Sequence, residues 1–295
     1  MRTADSQRIR RGVVVVATGA AVAAGALTLP AQAATTPSPA VTAKGGYVTD
    51  GSGADLYAKG ADTPRSTGST TKIMTAEVVL SQRHLDLDDK VTVQKAYSDY
   101  IVDHTASSAH LIVGDRLTVR QLLYAMMLPS GCDAAYALAD HFGSGTTRAQ
   151  RVESFVAEMN STAAGLGLRN THFDSFDGIG NGENHSTPRD LTALATDALR
   201  NATFAKVAGT ESTKQEVTTS TGGHRIMSWT NTNTLLGTYP GVIGVKTGSG
   251  PEAGYCLVFA AVRDGRTVVG TVLDAPNAKD RTADVKKLLD RGFAQ

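Results

Sequence analysis

The sequence predicts an α+β fold, an antiparallel sheet flanked by helices with an all-helical subdomain inserted at about residues 85–200. Three observations predict it. β-type segments stand at both ends of the domain, the stretch between them carries helix signals almost throughout, and the C-terminal strands follow one another across turn sequences too short for anything but antiparallel pairing.

The chain opens on Arg2, Arg8, Arg10 and Arg11, an apolar run from Val13 to Leu29, and Ala31-Gln32-Ala33. A basic start, an apolar stretch and a small-residue cleavage pattern describe a secretory signal over residues 1–33, removed near Ala33. Residues 34–43 include Thr35-Thr36-Pro37-Ser38-Pro39 and are expected to be a flexible lead into a domain spanning 44–295. Tyr47-Val48-Thr49 and Asp55-Leu56-Tyr57 flank the turn sequence Asp50-Gly51-Ser52-Gly53, which makes a hairpin. From Ser69 the run KIMTAEVVL is apolar nearly all round, the pattern of a helix buried at a domain centre. Residues 117–128 and 131–142 form two helices interrupted at Pro129-Ser130, which leaves Ser130 on a connection. Further helices are expected at 148–164 and from Thr187, a cap followed by proline at the first helical position. Strands follow at 242–247, 254–262 and 267–273, with Asp264-Gly265 turning the last pair, and a helix over 279–292 closes the chain.

The 29 basic and 28 acidic residues leave a formal charge of +1 with no block of like charge, which argues against nucleic acid and anionic membrane surfaces as partners. A hydrophobic content of 41% is ample for a sizeable core. Cys132 and Cys256 each fall inside a regular element, where the geometry of a disulfide is demanding, so they are expected to stay unpaired. The histidines show no HExxH or paired-ligand spacing, and there is no G-x-S-x-G elbow for one to serve. No metal and no cofactor are expected, and neither a zinc peptidase nor a Ser-His-Asp hydrolase finds support.

Three short strings carry the chemistry: Ser69-Thr70-Thr71-Lys72, Ser130-Gly131-Cys132 and Lys246-Thr247-Gly248. If Ser69 opens a helix, Lys72 lies one turn on, so hydroxyl and amine share a face. A lysine in apolar surroundings can then serve as base to the Ser69 nucleophile. Ser130, on its loop, can pass a proton to a leaving amine. Lys246 adds positive charge beside Ser130, the Thr247 hydroxyl can hold a substrate carboxylate, and Gly248 removes a side chain where substrate must lie close.

These motifs in this order resemble those of the low-molecular-mass penicillin-binding proteins, serine-type D-alanyl-D-alanine carboxypeptidases and transpeptidases of the S11 peptidase family. The resemblance extends from about Lys44 to the C-terminus and includes STTKIMTA, SGCDAAYALA, NTHFDSFDG, STPRDL and NTNTLL. One position departs from it: the family usually has asparagine where this chain has Cys132, which is similar to a subset of actinomycete DD-transpeptidases.

The resemblance implies a β-lactamase/DD-peptidase-like fold with a cleft between sheet and helical subdomain. It also implies an oxyanion hole from the Ser69 and Ser249 backbone N–H groups. The implied partners are peptidoglycan stem peptides ending in D-Ala-D-Ala, with β-lactams as covalent inhibitors, and the implied location is the cell-wall space. A separate C-terminal β-domain and amphipathic anchor are expected to be absent, and membrane association stays open. At Cys132 a thiol is a weaker hydrogen-bonding group than an amide, so part of the substrate contact is expected to be missing. A cysteine nucleophile is disfavoured because Ser69 has the base in register. Two other readings stand beside the peptidase: a class A-like β-lactamase, which needs a deacylating glutamate in a context that Glu153, Glu158 and Glu183 lack, and a non-catalytic β-lactam-binding sensor.

Overall fold

A computed structural model describes residues 38–294; the signal segment and residues 34–37 of the expected lead lie outside them. In chain order the elements are β1 (Gly45–Asp50), β2 (Asp55–Lys59), α1 (Lys72–Leu80), β3 (Lys90–Thr92), α2 (Lys95–Asp103), β4 (Arg116–Thr118), α3 (Val119–Met127), α4 (Cys132–Phe142), α5 (Arg148–Gly165), α6 (Pro188–Ala198), α7 (Ala202–Ala208), β5 (Ser212–Thr218), β6 (His224–Thr230), β7 (Val242–Gly250), β8 (Gly254–Arg263), β9 (Arg266–Ala275) and α8 (Ala278–Phe293).

The main sheet has the order β2-β1-β9-β8-β7, every neighbour antiparallel. Two of its three hairpins, β1–β2 and β8–β9, form for reasons legible in their turns. Asp50 Oδ1 accepts from Ser52 N, Ser52 Oγ and Ala54 N at 2.7–2.9 Å, and Asp264-Gly265 both sit at positive φ (50° and 75°), as a tight hairpin turn requires. Strand β8 is apolar without alternation because both of its faces are covered. Leu257, Phe259 and Ala261 meet α8 with Val285, Leu288 and Leu289, whereas Cys256, Val258 and Ala260 join the core that contains α1, α3 and α4. Helix starts are set by side-chain caps: Thr118 with Gln121 and Thr147 with Gln150 form capping boxes, Thr187 caps α6 with Pro188 at its first position, and Asn277 caps α8.

Three expectations need correction. The inserted part is not all-helical: strands β3 and β4 fall within it and join β5 and β6, which follow it in the chain, in a second, four-stranded antiparallel sheet. Its strands β3 and β4 are three residues each, too short for an alternation signal. Helix α6, placed within the insertion by sequence, packs instead on β9 and β1, where Thr192 Oγ1 donates to Thr271 Oγ1 at 2.9 Å. The end of the expected flexible lead is docked: Thr42 N, Thr42 Oγ1 and Ala43 N all donate to Asp284 Oδ2 of α8 at 2.7–2.8 Å, with Val41 and Ala43 buried beneath.

Candidate active site

Ser69 does not open the helix itself. It sits in a 3-10 turn, Gly68–Thr71, that runs into α1 at Lys72. The turn is tied by Thr67 Oγ1 to Thr71 Oγ1 (2.7 Å) and by Thr70 Oγ1 donating to Thr67 O (2.8 Å). Strand β7 lies directly against it. A Cβ on Gly248 would stand 2.7 Å from Thr67 O, and one on Gly68, at φ 48°, would stand 3.1 Å from Ser249 N and O. The Gly248 side-chain vacancy is therefore filled by the Ser69 turn, a closer reason for glycine than room for substrate. Two glycines let the strand bring the Ser249 N–H to the same side of the cleft as Ser69.

Lys72 is wholly buried, and its Nζ lies 2.8 Å from Ser69 Oγ, 3.3 Å from Cys132 Sγ and 3.1 Å from Asp177 O. Hydroxyl and amine thus share a face even though the intervening backbone is a 3-10 turn. Ser130 lies between α3 and α4 at φ 66°, a strained left-handed conformation for a residue with a side chain. Its carbonyl accepts from Ser107 Oγ at 2.5 Å, and its own Oγ is buried without a protein partner. Strain of this sort aims a side chain rather than stabilising a turn.

Lys246 is buried on β7 and donates to Thr247 O at 3.1 Å, while Thr247 Oγ1 is 2.6 Å from Thr232 Oγ1. Burial holds Lys246 well below the usual lysine range, and the charges of Lys72 and Arg281 push the same way, with Cys132 opposing. Burial pushes the Cys132 thiol up to about 11 against the opposing pull of Lys72. A thiol kept protonated is a poor nucleophile.

All eight residues singled out from the sequence come together. Ser69, Ser130, Cys132, Thr247, Gly248 and Ser249 line a cleft of about 850 Å³, and the two lysines lie just behind it. Glu153 and Glu158 are on α5 and Glu183 is in the loop before α6; none of the three lines the cleft. Sequence reasoning missed Arg281, Asp177, Ser107 and Thr232. Arg281, at the start of α8, is buried beside the cleft with its Nε unpartnered, and no motif marks it. Asp177 and Thr232 fall inside NTHFDSFDG and NTNTLL, strings that carry the family resemblance but mark no chemistry of their own.

This fold and site define a class. The family model for D-alanyl-D-alanine carboxypeptidases, peptidase S11, matches residues 31–277, and the chain belongs to that family of serine DD-peptidases. Among particular relatives, it is 63% identical over 240 residues to the D-alanyl-D-alanine carboxypeptidase of Streptomyces sp. strain K15, covering 81% of this chain and 82% of that one. DacF of Bacillus subtilis is 34% identical over 245 residues, and there the match spans 59% of the relative's length. The crystal structure of the Streptomyces K15 DD-transpeptidase superposes with a TM-score of 0.87 at 61% identity, over 88% of this chain and all of that one. DacD of Francisella tularensis superposes with a TM-score of 0.77 at 26% identity, over 88% of this chain and 72% of that one. The fold class is that of the DD-peptidases.

Proposed function

We propose that this DD-peptidase works through a Ser69 acyl-enzyme formed on peptidoglycan stem peptides ending in D-Ala-D-Ala. Lys72 serves as base, Ser130 as proton carrier and the Lys246–Ser249 strand as substrate rail. The observation that carries the reading is the 2.8 Å contact between Ser69 Oγ and the buried Lys72 Nζ.

An extended peptide laid along β7 puts its penultimate carbonyl over Ser69 and its terminal carboxylate at the Thr247 hydroxyl, near the Arg281 guanidinium and the Lys246 amine. Lys72 takes the Ser69 proton as Oγ attacks the carbonyl carbon. The oxyanion is received by the Ser69 and Ser249 N–H groups, donors of a kind worth roughly 3–4 kcal/mol each. Ser130 Oγ, buried and uncommitted to any protein acceptor, hands its proton to the nitrogen of the departing D-alanine as the C–N bond breaks and takes one back from the Lys72 ammonium, so that the proton lost by Ser69 leaves with D-alanine and the amine is neutral again. Water or an amine then takes the acyl group. Thr232 orients the Thr247 hydroxyl through their 2.6 Å contact. A β-lactam enters the same steps, except that its leaving nitrogen stays tethered to the acyl group. The glutamates between the second and third motifs, Glu153, Glu158 and Glu183, do not line the cleft, and the one that does, Glu252, follows the third motif in the turn between β7 and β8, which favours a long-lived penicilloyl adduct over β-lactamase turnover.

Among the described residues no helix is long and apolar enough to cross a membrane. We place the processed chain outside the cytoplasm, starting near Ala34. The deciding experiment is to incubate with benzylpenicillin, digest and map the adduct. Modification of Ser69 supports the assignment, and modification of Cys132 or rapid catalytic destruction of the lactam ring would refute it.

A further inference from the structure

The loop from His172 to His185 is closed at its base by paired backbone hydrogen bonds of 2.9 and 3.0 Å between those two residues, and it carries Asp177 into the protein behind the cleft. Asp177 is fully buried. Its backbone carbonyl accepts from Lys72 Nζ at 3.1 Å, and its Oδ1 accepts from Ile179 N at 3.0 Å. Its Oδ2 is buried with no hydrogen bond of ordinary geometry, while the Tyr100 hydroxyl and the Cys132 thiol face the carboxylate. A buried carboxylate oxygen left unpaired is costly, so its presence beside the catalytic lysine requires a reason.

The hydrogen-bond inventory around Cys132 supplies one. Lys72, as the base, turns its one lone pair to the Ser69 hydroxyl at 2.8 Å and has N–H groups left for Asp177 O and for the sulfur at 3.3 Å, so toward Nζ the sulfur accepts. The thiol has one proton to place. Two neutral oxygens can take it, Ser107 Oγ at 3.4 Å, whose own proton goes to Ser130 O, and Ser130 O at 3.9 Å. The third acceptor, Asp177, is the charged one, its Oδ2 has no other hydrogen bond, and hydrogen bonds to charged acceptors are the stronger.

We infer that Asp177 is a positioning residue whose carboxylate takes the S–H hydrogen bond of Cys132 and so turns the sulfur lone pairs toward Lys72 Nζ. The inference rests on Lys72 being the base. Under it the thiol presents an acceptor to the lysine, as an amide carbonyl would, and the protein keeps it protonated: desolvation and the Asp177 carboxylate both push the thiol up, against the pull of Lys72. The Tyr100 hydroxyl is held protonated by the same burial and the same carboxylate, which leaves Asp177 facing two proton donors. The loop thereby meets the site twice, through its backbone at Lys72 and through its side chain at Cys132.

The test is a double-mutant cycle of Asp177→Asn and Cys132→Ala, read as the rate of benzylpenicillin acylation, together with the S–H stretching band in the infrared. In Asp177→Asn the amide oxygen is claimed by the Ile179 N–H, which turns the NH₂ toward the thiol and replaces an acceptor with a donor. Asp177→Asn is expected to slow acylation about tenfold when Cys132 is present and by less than about twofold when it is alanine. The band lost in Cys132→Ala is expected to move to higher wavenumber in Asp177→Asn. Equal slowing in both backgrounds, or an unmoved band, would overturn the inference, because mere support of the loop predicts both. If Asp177→Asn does not fold, the unmutated protein decides: a Cys132 band at the position of a thiol without a hydrogen bond refutes the proposal. An unmutated protein that forms no adduct, or forms one away from Ser69, would sink the acyl-enzyme reading, and the band would still judge Asp177.

Discussion

Lys246 is a buried lysine whose charge the core disfavours, and replacing it should make the protein more stable and less active at once. Its amine has one close hydrogen bond, to Thr247 O at 3.1 Å, with Thr247 Oγ1 at the 3.5 Å limit. Burial, reinforced by Lys72 and Arg281, disfavours its charge. Lys246→Met keeps nearly the same length and volume, so packing is preserved. The lost hydrogen bond costs about 1 kcal/mol, and the removed desolvation penalty is several kcal/mol per ion. The net gain is about 1–4 kcal/mol, a rise in Tm of about 2–16 °C for a domain of this size.

The pH dependence has a definite sign. The folded value of Lys246 lies well below its ordinary 10.5. Between those two values the unfolded chain binds a proton that the folded chain does not, so this group makes stability rise with pH through the window and carries its full penalty below it. The advantage of Lys246→Met should therefore shrink between pH 7 and pH 10. Calorimetric melting of both proteins across that range, with benzylpenicillin acylation measured in parallel, tests the argument; acylation should fall about 10²-fold through loss of the charge near Ser130 and the carboxylate site. A less stable variant, or a stability difference that is flat in pH, would show that the Lys246 charge is compensated in the fold and that the reasoning is wrong.

Cys132→Ala should still be acylated at Ser69, since Lys72 keeps its 2.8 Å contact with the hydroxyl; complete loss with the fold intact would mean that the thiol takes part in the chemistry. Cys132→Asn should raise carboxypeptidase turnover or shift the partition between water and a glycine-type acceptor, measured as hydrolysed against transferred diacyl-D-Ala-D-Ala product, because an amide restores a strong acceptor and donor at that point. Gly248→Ala should lower both Tm and acylation rate, because its Cβ would stand 2.7 Å from backbone atom Thr67 O and push β7 off the Ser69 turn. Asp284→Ala should cost about 2–4 kcal/mol by freeing three hydrogen bonds to residues 42 and 43, and limited proteolysis should then cut before β1 well below the global Tm.

The sequence made the β7–β9 meander legible because its strands are long and its last turn has a specific chemistry, and it made the start of α6 legible because Thr187 caps through its own side chain with Pro188 at the first position. Strands β3 and β4 escaped because three residues carry no period, and the docking of residues 40–43 escaped because it depends on Asp284, some 240 positions away. Seven of the eight residues proposed for the site lie in three short strings, and the eighth, Ser249, follows the third of them directly. Arg281 has no such neighbour: it reaches the cleft from a helix whose own pattern speaks only of amphipathic packing.

The same contrast explains how Cys132 can stand where an amide is usual. A motif reports which atoms a residue offers, and a thiol offers fewer than an asparagine. What the thiol does with its single proton is decided by Ser107, Ser130 and Asp177, brought to it by three separate connections of the fold. Lys72 likewise draws its contacts from a residue three positions back, one sixty ahead and one more than a hundred ahead. On the acyl-enzyme reading proposed above, proton transfer at Ser69 depends on an arrangement of neutral and charged acceptors around one buried amine. Substitutions behind the cleft should accordingly alter acylation without touching any atom that meets the substrate.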